Sequence, residues 1–158
     1  MEKIASFQVD HLRLLPGLYV SRKDKFGGTV LTTFDMRFKQ PNKEPVMDMP
    51  TIHTIEHLGA TFLRSHKEWA ARTVYFGPMG CRTGFYVIFE GDLSSEKVRP
   101  LIVELMDWIC NFEGEIPGAK PEECGNYSEQ NLNMAKWEAE RYRKLLKQAK
   151  SENLNYPA

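Results

Sequence analysis

Apolar and polar positions divide this chain into short alternating runs and three longer runs with helical spacing. From Thr29 to Phe38 the alternation is clean. Val30, Phe34, Met36 and Phe38 fall on one side and Thr33, Asp35 and Arg37 on the other, the period-two pattern of a strand with one face on a core. An earlier stretch from about Phe7 to Val20 interleaves apolar and polar residues and reads as a first strand before the Gly27-Gly28 turn. Thr73 to Phe76 and Thr83 to Phe89 read as two further strands flanking Gly77-Pro78-Met79-Gly80, where glycine and proline punctuate the chain. Helical spacing starts after Asp48-Met49-Pro50, a capping Asp followed by a proline suited to a first turn, and that helix is expected to reach about Ser65. A second helix carries Val98, Leu101, Ile102, Leu105, Met106 and Ile109 as one buried stripe. A third, from about Glu129 to Lys150, turns Ala135, Tyr142, Leu145 and Ala149 inward; before it, Pro117, Gly118 and Pro121 mark a loop leading to Cys124-Gly125-Asn126. Strands cluster before and between the helices without regular alternation. The pattern therefore predicts an α+β fold, a small antiparallel sheet covered by helices, in a single domain over residues 1–158.

Composition narrows the function classes. The 158 residues suffice for one substantial core, and 42% hydrophobic with 27% charged residues is a globular balance, not a disordered one. Lys+Arg and Asp+Glu both number 21, so no net field points to nucleic acid or an anionic membrane surface. No apolar run approaches membrane-spanning length. The Met1–Ala5 stretch lacks the apolar segment of a signal peptide, and three cysteines are an odd set for a disulfide framework. A reducing cytoplasm is the expected compartment.

Chemistry concentrates in His53-Thr54-Ile55-Glu56-His57. At about 100° per residue, His53 and His57 stand one turn apart and roughly 40° apart around the helix axis. Two imidazoles so placed can bind one divalent ion, and neutral imidazole suits zinc, iron, copper or nickel. Glu56 falls on the same arc, while Ile52, Ile55 and Phe62 point nearly the opposite way. The bland alternative is a helix with two surface histidines. A metal would want a third ligand, for which His11 and His66 compete with the cysteines. Cys124, before a glycine in a polar loop, is best placed, and two histidines plus a cysteine leave a fourth position open for substrate or water. Cys110 lies beside the apolar stripe and reads as core. Cys81 ends a turn and precedes Arg82, a neighbour that favours a thiolate, although a small buried cysteine at a strand start fits equally. His11, after Asp10, reads first as a hydrogen-bonded surface histidine, and His66 as a solvated helix end. Arg37 is open between an ion pair with Asp35 and a clamp for a carboxylate or hydroxyl.

Taken together the motifs resemble the S-ribosylhomocysteine lyase family, which makes the precursor of the signal autoinducer-2. The likeness is carried by Ser6-Phe7-Gln8-Val9-Asp10-His11, by Phe34-Asp35-Met36-Arg37-Phe38-Lys39-Gln40-Pro41-Asn42, by His53-Thr54-Ile55-Glu56-His57-Leu58, by Pro78-Met79-Gly80-Cys81-Arg82-Thr83-Gly84-Phe85-Tyr86 and by Glu123-Cys124-Gly125-Asn126-Tyr127, in that order over most of the chain. The resemblance implies His53, His57 and Cys124 as ligands of a ferrous ion, with zinc or cobalt able to substitute. It implies Cys81 and Glu56 as general acid/base groups, and Ser6, His11 and Arg37 as substrate contacts. It further implies a homodimer whose two sites draw residues from both chains. Three positions depart from the family pattern: Tyr75 where an acid is frequent, Gly77 where a serine is usual, and Lys39 where a cysteine is common. Two rivals remain. A small metallopeptidase of the inverted His-x-x-Glu-His type would use Glu56 to activate water and give Cys81 no task. A non-catalytic metal module would close its coordination shell.

Overall fold

The alternating segment at Thr29–Arg37 becomes the strand around which the sheet is built. In the computed structural model, which describes residues 1–158, the strands are β1 (Gly17–Phe26), β2 (Thr29–Arg37), β3 (Thr73–Pro78) and β4 (Gly84–Glu90). They pair antiparallel throughout in the order β1-β2-β4-β3. Gly27, at φ 59°, takes the left-handed conformation that lets β1 double back onto β2. Four helices accompany the sheet: a single turn α1 (Ala5–Gln8), then α2 (Met49–Ser65), α3 (Ser95–Cys110) and α4 (Leu132–Lys147). Antiparallel pairing with segregated helices is the expected α+β arrangement.

One hydrophobic core joins Leu18, Phe34, Met36, Phe85, Val87 and Phe89 of the sheet to buried residues of all three long helices. The predicted stripe of α3 is buried along its full length. Helix α2 starts as expected: Asp48 Oδ1 accepts from Thr51 N–H at 2.9 Å and Pro50 occupies the first turn. It packs tightly on β3 because Gly59 has no side chain; a Cβ there would stand 2.2 Å from the Phe76 ring.

Two expectations, the start of the first strand and the length of the last helix, need correction, and the burial of one polar face is new. The first strand does not begin near Phe7. Residues 5–8 form α1, and Asp10 then holds a turn, its side chain accepting from Leu12 N–H and its carbonyl from Arg13 and Leu14 N–H. With Pro16 next, the ladder opens only at Gly17. The last helix is shorter than Glu129–Lys150. Asn131 caps it through Met134 N–H at 3.0 Å, and Ala139 and Leu146 are fully buried on its inner face, with Leu145 and Ala149 only partly covered. The polar side of β2 is not a solvent face: Asp35 is 1% and Arg37 3% exposed. Tyr156 lies over it, stacked on Tyr19 with ring centroids 4.7 Å apart.

Candidate active site

Helix α2 presents His53 and His57 toward the loop that precedes α4. Cys124 comes from that loop, and the three ligand atoms all lie within 4.8 Å of one another. His53 Nε2 is 3.4 Å from Cys124 Sγ, and the two imidazoles stand nearly perpendicular, centroids 4.5 Å apart. His53 Nδ1 meets the Glu129 carbonyl at 2.9 Å and His57 Nδ1 the Pro117 carbonyl at 2.7 Å. A carbonyl only accepts, so both Nδ1 atoms carry the proton and both Nε2 lone pairs are left for an ion. That is the support metal-binding histidines ordinarily receive, and the donor set fits a divalent transition metal.

The loop is built to make these contacts. Gly118 has φ 75°, and a Cβ there would sit 2.9 Å from His57 Nδ1. Only glycine both enters that conformation cheaply and lets the backbone come so close. Thr54, fully buried on α2, donates to Gln130 Oε1 at 2.8 Å and accepts from Asn131 N–H at 2.9 Å. It thereby fastens the helix to the segment carrying the Glu129 carbonyl.

Cys81 stands on the turn between β3 and β4 and is exposed. Arg82 N–H donates to the Met79 carbonyl, Met79 N–H to the Gly84 carbonyl, and Arg82 adopts φ 61°. Phe38 and Lys39 N–H both donate to the Thr83 carbonyl, at 2.9 and 3.0 Å, which pins the turn to the end of β2. The side chain of Arg37 reaches the same place. Its Nη1 is 2.7 Å from Thr83 Oγ1 and 3.9 Å from Cys81 Sγ, while Nε and Nη2 grip Asp35 at 3.1 and 2.6 Å. Of the two roles open to Arg37, the chain itself makes the ion pair. Burial pulls the Arg37 pKa down, but the Asp35 carboxylate outweighs it and the net shift is upward, so the guanidinium stays charged. Tyr156 OH donates to Asp35 Oδ2 at 2.8 Å.

The remaining predicted residues are placed as follows. Glu56 is half-buried, and its carboxylate makes no hydrogen bond or ion pair within the chain. Ser6 lines a cavity of about 280 Å³ with Ser21, Thr33, Tyr75 and Tyr86 on the face of the sheet away from the core. His11 Nδ1 meets the Val9 carbonyl at 2.8 Å. Neither Ser6 nor His11 hydrogen-bonds to Cys81 or to the His53–His57–Cys124 group. His66 caps the end of α2, its Nδ1 accepting from Glu68 and Trp69 N–H, and takes no part in the ligand group. Thr83, Tyr156, Thr54 and Gly118 were not singled out as site residues from sequence; only Gly118, beside two prolines, carried any signal.

Residues 4–153 match the family model described as S-Ribosylhomocysteinase (LuxS). The chain belongs to this family. Similar proteins include one named S-ribosylhomocysteine lyase from Clostridium acetobutylicum, 57% identical over 157 residues and covering 99% of both chains. Another of that name, from Porphyromonas gingivalis, is 56% identical over 158 residues, again 99% of each. A third, from Borreliella burgdorferi, is 54% identical over 157 residues, covering 99% of this chain and all of the relative.

Two of the positions expected to depart from the family pattern, Tyr75 and Gly77, are in contact. The Tyr75 hydroxyl stands 2.1 Å from where a Gly77 Cβ would be, so the tyrosine fills space that a serine side chain would need. Lys39 is matched too. Its ammonium is buried 2.6 Å from Glu138 of α4 and lies 5.3 Å from the centre of the Trp137 ring.

Proposed function

We propose that this chain is a carbon–sulfur lyase that cleaves S-ribosylhomocysteine into homocysteine and 4,5-dihydroxy-2,3-pentanedione, the autoinducer-2 precursor. The carrying observation is that a second thiol, Cys81, stands apart from the ligand group with a buried guanidinium beside it. A metallopeptidase has no use for that thiol, and a non-catalytic module would want a fourth protein ligand.

The substrate thioether is not adjacent to a carbonyl, so the carbonyl must first move along the sugar from C1 to C3. Each shift takes a proton from one carbon and returns it to its neighbour. Cys81 and Glu56 supply those transfers, a thiol group backed by Thr83 and Arg37 and a carboxylate with no side-chain partner. His53, His57 and Cys124 would hold a divalent ion, ferrous iron in our assignment and replaceable by zinc or cobalt, which when bound would supply Lewis acidity. With the ketone at C3, loss of the C4 proton expels the thiolate from C5. Ser6 and His11 hold the substrate, and Arg37, engaged by Asp35 and Thr83 in the free chain, would reach it only by giving up one of those contacts.

The working form is a cytoplasmic homodimer with shared sites. Ile4, which lines the Ser6 cavity, is 60% exposed, and Phe7 and Leu12 of the same N-terminal segment are 70 and 71% exposed, apolar surface that a contact between two copies would bury. Arg37 and Cys81 stand 3.9 Å apart in the same chain, so sharing is tested with Cys81 and Glu56. Mixing Cys81→Ala and Glu56→Gln chains should regenerate roughly a quarter of wild-type sites after random exchange, and no recovery after verified exchange would place both groups of a site within one chain. The function is tested by adding S-ribosylhomocysteine to anaerobically purified protein and measuring free thiol. Wild type should release homocysteine and Cys81→Ala should not, with its metal retained. Turnover by Cys81→Ala would overturn the mechanism.

A further inference from the structure

Thr83 stands between the two groups gathered at the β3–β4 turn, and counting hydrogen bonds defines its part. Its hydroxyl oxygen accepts from Arg37 Nη1 at 2.7 Å and lies 3.1 Å from Cys81 Sγ. A guanidinium N–H only donates, so that contact uses a lone pair and leaves the single hydroxyl proton free. A Cys81 ready to take a proton carries none. Across the 3.1 Å contact, Thr83 is then the donor. The direct Arg37–sulfur approach is longer, at 3.9 Å. Thr83 is 4% exposed and its carbonyl is held by two backbone N–H groups, so its hydroxyl is fixed while the cysteine beside it is open to solvent.

We propose that Thr83 is a positioning residue whose hydroxyl, aimed by Arg37, donates to the Cys81 sulfur and holds it as an oriented base on an exposed turn. The inference rests on Cys81 being an acid/base group. The other charged or titratable groups around the sulfur are Arg82 on the same turn, Asp35 and Arg37 on β2, Tyr86 on β4 and Tyr156 after α4. Burial and then the Asp35 charge push both phenols up, so they stay neutral donors while a cysteine titrates, and the arginines stay charged.

Thr83→Val removes the hydroxyl and keeps the shape, and Thr83→Ser keeps the hydroxyl. The readout is the rate of iodoacetamide alkylation of Cys81 against pH, followed on its own peptide by mass spectrometry in metal-loaded protein. Turnover of S-ribosylhomocysteine is measured in parallel. In Thr83→Val the midpoint of the alkylation profile should rise by about one pH unit, the size of one lost hydrogen bond to a charged group. Its kcat near neutrality should fall about tenfold, as that shift implies, and recover toward higher pH. Thr83→Ser should stay close to the parent on both measures. Thermal melting checks the fold, and Thr83→Ala replaces the valine variant if that one melts early. An unmoved midpoint without the hydroxyl overturns the proposal, as does a serine variant as impaired as the valine one. A moved midpoint in an enzyme whose Cys81→Ala variant still turns over would keep the Thr83 contact and overturn the role given to Cys81.

Discussion

In the ligand group the aiming contacts come from main-chain carbonyls, whereas at Cys81 they come from a file of polar side chains. His53 and His57 are turned by Glu129 and Pro117 carbonyls; Cys81 is backed by Thr83, Arg37, Asp35 and Tyr156 in sequence. Under the proposed assignment the difference follows from the tasks. A ligand needs a fixed direction and a defined tautomer, which a rigid carbonyl provides without adding charge. A base that must hold a negative sulfur needs positive charge near it, and buried charge must itself be paired.

The largest effect should come from removing a ligand. Cys124→Ala should lose metal and activity together, measured by metal content and thiol release; full metal occupancy would mean the third ligand lies elsewhere. Next is a charged pair close to Cys81 but outside its file. Glu138→Ala strands the buried Lys39 ammonium and should cost roughly 3–5 kcal/mol, lowering Tm by about 10 °C. The pH profile of Cys81 alkylation should stay put, and a moved profile would make Lys39 part of the file. Gly118→Ala tests the carbonyl side. Strain and the 2.9 Å approach to His57 should weaken metal binding about 10–100-fold, the range for lost outer support, with Cys81 alkylation unaffected. A competition titration against a chelator reads this out, and unchanged affinity would show that the loop yields without moving the ring. The smallest effect is at the far end of the file. Tyr156→Phe removes one donor from Asp35 and should cost about 1 kcal/mol of stability by thermal melting; a loss of several times that would make Tyr156 a principal clamp.

The ligand half was the more legible in sequence, because a helix converts spacing directly into geometry. His53 and His57 were bound to meet once Asp48 and Pro50 had set the helix start. The Cys81 half was legible only as a turn. Asp35 and Arg37 alternate as a solvent face should, and nothing local distinguishes a solvated polar face from one covered by a tail more than a hundred residues away. The same limit explains the N-terminal error. Asp10 accepts Leu12 N–H on its side chain and Arg13 and Leu14 N–H on its carbonyl, and so breaks a run whose composition suits a strand. At α4 the inward positions Ala135 and Tyr142 are buried as read, and Leu145 and Ala149 pack at the core's edge; the deepest positions missed are Ala139 and Leu146.

The bond between Tyr156 and Asp35 also closes a long loop. The two residues are separated by 121 positions, whereas His53 and Cys124 are 71 apart. Loop-closure entropy rises only with the logarithm of length, so the longer closure costs just a few tenths of a kcal/mol more. A contact between distant parts of the chain therefore covers the polar face of β2 at almost no added entropic cost.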